Sequence, residues 1–361
     1  MYHLLSHSSG LHHWGGIDGF LLNKARLYYE KDTIMNMFAT LEERNEPGEQ
    51  FRYSSIGYYL LGIILENVSG QSYAALLQER IFDPLKMRDS FFSDSDAIIK
   101  NRATPYRYNF LTAKYDNAEY RDPSTTYSTG GIISTAADLL KWDQALYTNQ
   151  LLSKESVELL SKPNFDRYSY GFHVNLRGEH ADLNVRWHGG LVTGYRSQIT
   201  RLIDDNKTII LLTNRRDTDT QEISNTIISI LVDKEHQLPQ KSLFKLVLEK
   251  TANESVDDAI AAIDHLIKTA PSDYALVDTE IIRAGLELKS DGAYEKSLKL
   301  LQATMDFFPA TAYRTFLHYQ IAQNYTELKN ETKAIEYAKK VLEVNPNHEG
   351  AKNILNQLEV R

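Results

Sequence analysis

The stretch Pro47-Gly48-Glu49-Gln50-Phe51-Arg52-Tyr53-Ser54-Ser55-Ile56-Gly57-Tyr58-Tyr59-Leu60-Leu61-Gly62 decides how the first part of the chain folds. Its Pro-Gly pair, after Asn45-Glu46, marks a turn. Residues 56–68 then run apolar on nearly every side, which predicts a helix buried all round. Ser69-Gly70 supplies its stop, because glycine accepts the left-handed backbone that closes a helix. Tyr53 stands just ahead of this helix, with Ser54 or Ser55 available as its N-cap. Read alone, Tyr53 is an ordinary half-buried aromatic. Its meaning depends on what else the chain carries.

Working outward, helical and strand signals mix before residue 236. Residues 3–10 read as a short helix running into a turn. Helices are expected at 34–43, 73–82 and 136–147, the last entered through Ser134-Thr135, a good capping pair. The period then changes to that of strands at 170–174, 183–187, 196–203 and 208–213, the last two joined by Asp204-Asp205-Asn206-Lys207. A helix over 222–232 closes this part. Helices, then antiparallel strands, then a helix make an α+β pattern.

After the linker His236-Gln237-Leu238-Pro239-Gln240-Lys241, residues 237–361 read as helix almost throughout. The expected domains are therefore 1–236 and 237–361. Pro271, Pro309 and Pro346 recur at spacings of 38 and 37 residues, each closing an amphipathic helix at 258–268, 294–307 and 331–344. Ile321, Ala322, Tyr325, Ala334 and Pro346 sit where a tetratricopeptide repeat wants them, and the third unit resembles that repeat. Gly285 and Gly292 are the best matches in the second. The plain alternative is three helical hairpins with no family meaning.

Composition removes several classes of function. The 361 residues exceed one ordinary domain, and 42% hydrophobic content fills a core. With 40 basic and 48 acidic residues the net charge is -8, which argues against nucleic-acid binding. No cysteine is present, so disulfides, thiolate metal sites and a cysteine nucleophile are excluded. The longest apolar run, 58–65, is far short of the ~20 residues a bilayer needs. Residues 1–7 lack the basic start and apolar run of a signal peptide.

Three further segments stand beside the Tyr53 stretch: Gly130-Gly131-Ile132-Ile133-Ser134-Thr135, Trp187-His188-Gly189-Gly190-Leu191, and Gly194-Tyr195-Arg196-Ser197. Together with His3-Leu4-Leu5-Ser6-His7-Ser8-Ser9-Gly10-Leu11 and Thr213-Asn214, they give residues 1–235 a resemblance to the serine β-lactamase-related family. That family comprises class C β-lactamases, D-alanyl-D-alanine carboxypeptidases and related esterases. The resemblance implies a β-lactamase/transpeptidase-like fold, a helical lobe plus an antiparallel sheet, here incomplete and followed by the all-α helical-repeat domain. It implies acyl transfer through a serine acyl-enzyme, without cofactor or metal, on a small-molecule or peptide substrate such as a β-lactam, a peptidoglycan-type peptide or an ester. Tyr53 matches the proton-transfer tyrosine and His188 the Lys/His position. Gly189 and Gly190 match the flat strand edge, and the Leu191 N–H matches one oxyanion donor. Ser55 stands where the family usually has asparagine, with one donor where an amide has two.

The larger departure is the nucleophile. The family's Ser-x-x-Lys lies upstream of the segment that is 1–11 here. The one such string in the chain, Ser242-Leu243-Phe244-Lys245, comes after the last strand and reads as chance. The expectation is therefore an N-terminally truncated hydrolase, inactive as this chain. The alternative is a non-catalytic scaffold or pseudoenzyme that binds a protein partner through 237–361. His3, His7, His12 and His13 have no carboxylate shell and are not read as a metal site. By resemblance, the parent is placed outside the cytoplasm, periplasmic or secreted.

Overall fold

The computed structural model describes the chain apart from residues 18, 22, 43–44, 94–96, 110–111, 113, 166, 177–179, 237, 271–272 and 360–361. Glu43, Gln237 and Pro271, named above, lie outside the described residues. The chain divides into two compact units. One comprises Met1–Arg107 and Asn117–His236, the other Tyr108–Asp116 and Gln237–Arg361.

The first unit contains α1 (Tyr2–Leu5), α2 (Lys31–Ala39), α3 (Ser55–Ser69), α4 (Tyr73–Leu77), α5 (Pro123–Thr126), α6 (Ala136–Ala145), α7 (Lys154–Ser161) and α8 (Thr220–Leu231). Strands β1 (Phe91–Phe92) and β4 (Ile132–Ile133) pair with each other, and β2 (Tyr106–Asn109) pairs with β3 (Lys114–Asn117). The main sheet is antiparallel, in the order β5 (His173–Val174), β6 (Val185–Val192), β7 (Tyr195–Leu202) and β8 (Lys207–Thr213). A helical lobe with an antiparallel sheet is the arrangement the sequence led us to expect.

Local chemistry explains the register. Thr193 and Gly194 both hold positive φ, 28° and 76°, as a two-residue hairpin turn matched to strand twist requires. That turn fixes His188 opposite Ile199 and Gly190 opposite Ser197. Below the sheet, Ile228 of α8 packs with Leu176, Val185, Leu202 and Ile209. Asp143 of α6 accepts hydrogen bonds from Arg201 of β7 and, at 2.7 Å, from Thr208 of β8. Both members of this ion pair are buried, so its geometry has to compensate for lost hydration.

The helical lobe is built on aromatic packing. Trp14, Phe20, Ile34, Phe38, Ile56, Tyr59 and Tyr127 form one cluster. Here α3 departs from expectation. Its first turns are buried, and Gly62 lets it close on Tyr127 and Ser128. Its last turn is not: Leu65 is 48% and Val68 82% exposed. Apolar composition shows what a helix can bury, whereas the neighbours decide what it does bury. Other boundaries also shift, and the expected 183–187 strand is β6, which runs on to Val192 and so takes in His188, Gly189, Gly190 and Leu191. The expected 73–82 helix is α4 followed by a π-helical turn over Gln78–Phe82. The expected 170–174 strand shortens to β5 because Gly171, at φ +92°, bends the chain.

In the second unit, α9 (Leu243–Asn253), α10 (Val256–Thr269), α11 (Asp278–Ser290), α12 (Tyr294–Phe307), α13 (Arg314–Glu327), α14 (Glu331–Val344) and α15 (Glu349–Glu359) follow one another, with a short parallel pair β9 (Lys241–Ser242) and β10 (Tyr274–Ala275). Helices 9 and 10, 11 and 12, and 13 and 14 form hairpins that recur about every 35 residues. Tyr108 is buried among Leu243, Val247 and Ile281, which explains why its segment belongs to this unit. A Cβ at Gly285 would come within 2.6 Å of Leu301, so α11 and α12 approach closely there.

Two outcomes follow in urea unfolding. Asp143→Asn strands a buried guanidinium and is expected to cost about 3 kcal/mol, much of it recovered when Arg201→Met is added. Gly285→Val overpacks the α11–α12 contact and is expected to cost about 1–3 kcal/mol despite glycine's poor helix propensity.

Candidate active site

The site lies in the first unit, where the entrance of α3 meets β6. Ser54 is the N-cap. Its Oγ accepts from the Gly57 N–H at 3.1 Å and donates to the His12 carbonyl at 2.7 Å. This settles the capping choice in favour of Ser54, a contact worth about 1 kcal/mol. Ser55 occupies the first helical position, and its N–H donates to His13 Nδ1 at 3.2 Å. The Ser54 N–H donates to His7 Nδ1 at 3.1 Å. Two imidazoles thus accept N–H groups that the start of a helix leaves without intrahelical partners. Burial holds both rings below the ordinary imidazole range, with Arg121 adding to the effect at His13, and His7 falls to about 3.

Tyr53 projects from this clasp, and the residue as a whole is 40% exposed. Its ring centroid lies 4.1 Å from that of His7, 6.4 Å from Tyr168 and 6.2 Å from His188. The Tyr58 hydroxyl donates to the Leu5 carbonyl at 2.8 Å. The Tyr53 phenol is raised above its ordinary range by burial. Among the described residues no cation is found to lower it. A phenol in that state holds its proton at neutral pH.

His188 stands on β6. Its Nδ1 lies 2.7 Å from the Gly189 carbonyl, which can only accept, so this nitrogen carries the hydrogen and Nε2 keeps its lone pair. Burial lowers its basicity. Residue 188 begins a free length of edge. β5 pairs with β6 at Arg186 and Trp187, and among the described residues no strand covers 188–192 on that side.

A cavity of about 150 Å³ is lined by His7, Tyr53, Ser55, Tyr58, Thr129, Tyr168, Gly171 and His188. Three sequence-chosen residues, Tyr53, Ser55 and His188, therefore share one concavity. Gly189, Gly190 and Leu191 lie further along β6, outside this lining, and the Leu191 side chain is exposed. Successive side chains alternate across a sheet, so Gly190 shares the face of His188 and Gly189 takes the other. A Cβ at Gly190 would lie 2.3 Å from Ser197 Oγ, and one at Gly189 would lie 3.1 Å from Gln198 Oε1. Both glycines thus also answer to their cross-strand neighbours.

Sequence reasoning passed over His7, Tyr58 and Tyr168. His7 was quoted inside a motif but given no role, and nothing in its spacing announces burial. Ser242, of the Ser-x-x-Lys string, caps α9 and donates to Glu280, while Lys245 pairs with Glu249. Among the described residues no group of three or more His, Asp or Glu is arranged to hold a metal ion. No single described helix is long and apolar enough to cross a membrane.

Comparison with known proteins places the first part of the chain in a family. Penicillin-binding protein 4* of Bacillus subtilis is 29% identical over 337 residues, covering 87% of this chain and 70% of that one. The human mitochondrial serine beta-lactamase-like protein LACTB is 41% identical over 117 residues, 32% of this chain and 21% of its own length. In structure, a penicillin binding protein from Bacillus halodurans superposes with a TM-score of 0.57 at 21% identity, covering 63% of this chain and 71% of that one. The octameric penicillin-binding protein homologue from Pyrococcus abyssi gives 0.57 at 20%, covering 74% and 59%. At such identities the likeness speaks to fold. Residues 1–232 match the family described as Beta-lactamase, and the chain belongs to that family.

Proposed function

We propose that residues 1–236 form the tyrosine and histidine side of a serine acyl-transfer site for amide or ester substrates, and that these 361 residues lack its nucleophile. The observation that carries this reading is the convergence of the Tyr53 and His188 rings on one cavity beside an uncovered stretch of β6. In this reading, Tyr53 exchanges a proton with the attacking or leaving atom, and His188 Nε2 accepts a hydrogen bond from the substrate or from a proton carrier. Ser55, Gly189, Gly190 and the Leu191 N–H hold the acyl group against the strand. Electrostatics support the missing part. A phenol raised by burial is a poor base until a cation comes close, and the family's Ser-x-x-Lys brings both that cation and the alcohol. Ser242 is committed to helix capping and to Glu280.

The substrates proposed are β-lactams, peptidoglycan-type peptides or esters, by likeness to relatives named as penicillin-binding proteins. An extracytoplasmic setting is proposed on the same likeness. A second reading has its own observation. In the second unit, Lys289, Tyr319, Gln320, Gln323, Asn353 and Gln357 help line a groove of about 550 Å³. A tetratricopeptide-like array that docks a protein partner there fits the scaffold alternative, and it is compatible with an active parent.

Two measurements test the first reading. Treated with a fluorophosphonate or with benzylpenicillin, this chain is expected to show no acylated serine by mass spectrometry. A labelled serine overturns the claim that the nucleophile is absent. Joined to a segment that supplies Ser-x-x-Lys in family register, the chain is expected to label and turn over. Tyr53→Phe is then expected to slow turnover by on the order of 10²-fold, the scale of a proton-transfer group. Unchanged turnover removes Tyr53 from the chemistry.

A further inference from the structure

His7 holds the chain on both sides of Tyr53. Its carbonyl accepts from the Arg52 N–H at 2.7 Å, and its ring Nδ1 accepts from the Ser54 N–H at 3.1 Å. Between these bonds its ring lies against the Tyr53 ring. His7 is 1% exposed and sits at φ +52°, a left-handed backbone that costs a non-glycine residue energy and persists where the surroundings over-determine it. We infer that His7 is the positioning residue for Tyr53, fixing the phenol in the cavity through its carbonyl and its unprotonated Nδ1. The inference rests on reading Tyr53 as the proton-transfer group.

The tautomer follows from the geometry. An Nδ1 that accepts carries no hydrogen, so the neutral ring has its proton on Nε2. That nitrogen is buried without a partner among the described residues. Protonating Nδ1 would sever the Ser54 bond, so the clasp requires a neutral ring. Burial does most to keep the ring neutral and holds His7 at about 3, and His188, His173 and His13 would repel a charge on it. The other groups facing it are the rings of Tyr53, Tyr58, Tyr168 and Phe51, none of which carries a negative charge at neutral pH.

The test uses the intact chain labelled with 15N-histidine, with the His7 signals assigned by their loss in a variant. His7 is expected to carry its proton on Nε2 and not to titrate between pH 8 and 5. A proton on Nδ1, or titration near 6.5, overturns the inference. Two variants separate position from bulk. His7→Asn places Oδ1 where Nδ1 was and tolerates positive φ, so it is expected to keep the nuclear Overhauser contact between the Tyr53 and Tyr168 rings at pH 7. His7→Gln loses that acceptor and is expected to lose this contact, with the contact between Tyr59 and Tyr127 kept. A retained Tyr53–Tyr168 contact in the Gln variant contradicts the inference. If the Gln variant does not fold, the wild-type tautomer decides.

Acid stability gives an independent check. The unfolded chain takes a proton at His7 near 6.5, which the folded chain refuses until about 3. Stability therefore falls with pH through that window. The slope is expected to be smaller in His7→Asn, and equal slopes contradict a neutral His7. None of these readouts depends on turnover. An inactive role for Tyr53 and a failed clasp are therefore distinguishable.

Discussion

Two main-chain hydrogen bonds, from Arg52 and Ser54 onto the carbonyl and ring of one buried histidine, set where the Tyr53 phenol stands. The helix that follows begins at Ser54, and its first N–H groups are taken up by neutral imidazoles and by the capping hydroxyl. Tyr53 therefore sits on a fixed mount at the edge of a packed aromatic lobe. β6 brings His188 to the same cavity because a two-residue turn of fixed handedness leaves no freedom in the register of β6 on β7. The site is the meeting of two separately determined placements.

The electrostatic state of this meeting place is one of restraint. His7, His13 and His188 are all held neutral by burial, and Tyr53 keeps its proton. Such a site can offer and accept hydrogen bonds, but among the described residues no cation is found to turn its phenol into a base. Acyl transfer needs an alcohol and a charge beside these groups. In the proposed reading, a Ser-x-x-Lys supplies both.

Much of the fold was legible in the sequence. The three amphipathic helices expected at 258–268, 294–307 and 331–344 correspond to α10, α12 and α14, because side chains at three-four spacing and closing prolines act locally. Strands β7 and β8 were found within a residue of their ends for the same reason. What local pattern could not give was the partner of each face. The last turn of α3 still carries Leu65 and Val68, yet both are exposed, and Tyr108–Asp116 joins the second unit through packing that appears only in three dimensions. In the site, Tyr53 and His188 were legible because each belongs to a short motif. His7, Tyr58 and Tyr168 were not, because their roles arise from burial between distant segments.

The central claim is that Tyr53 and His188 face each other across one cavity in this chain. Nuclear Overhauser contacts between their ring protons, in protein labelled at tyrosine and histidine, test it most directly. The account predicts cross-peaks between the two rings, and between Tyr53 and Tyr168. A folded chain in which Tyr53 shows neither contact contradicts it.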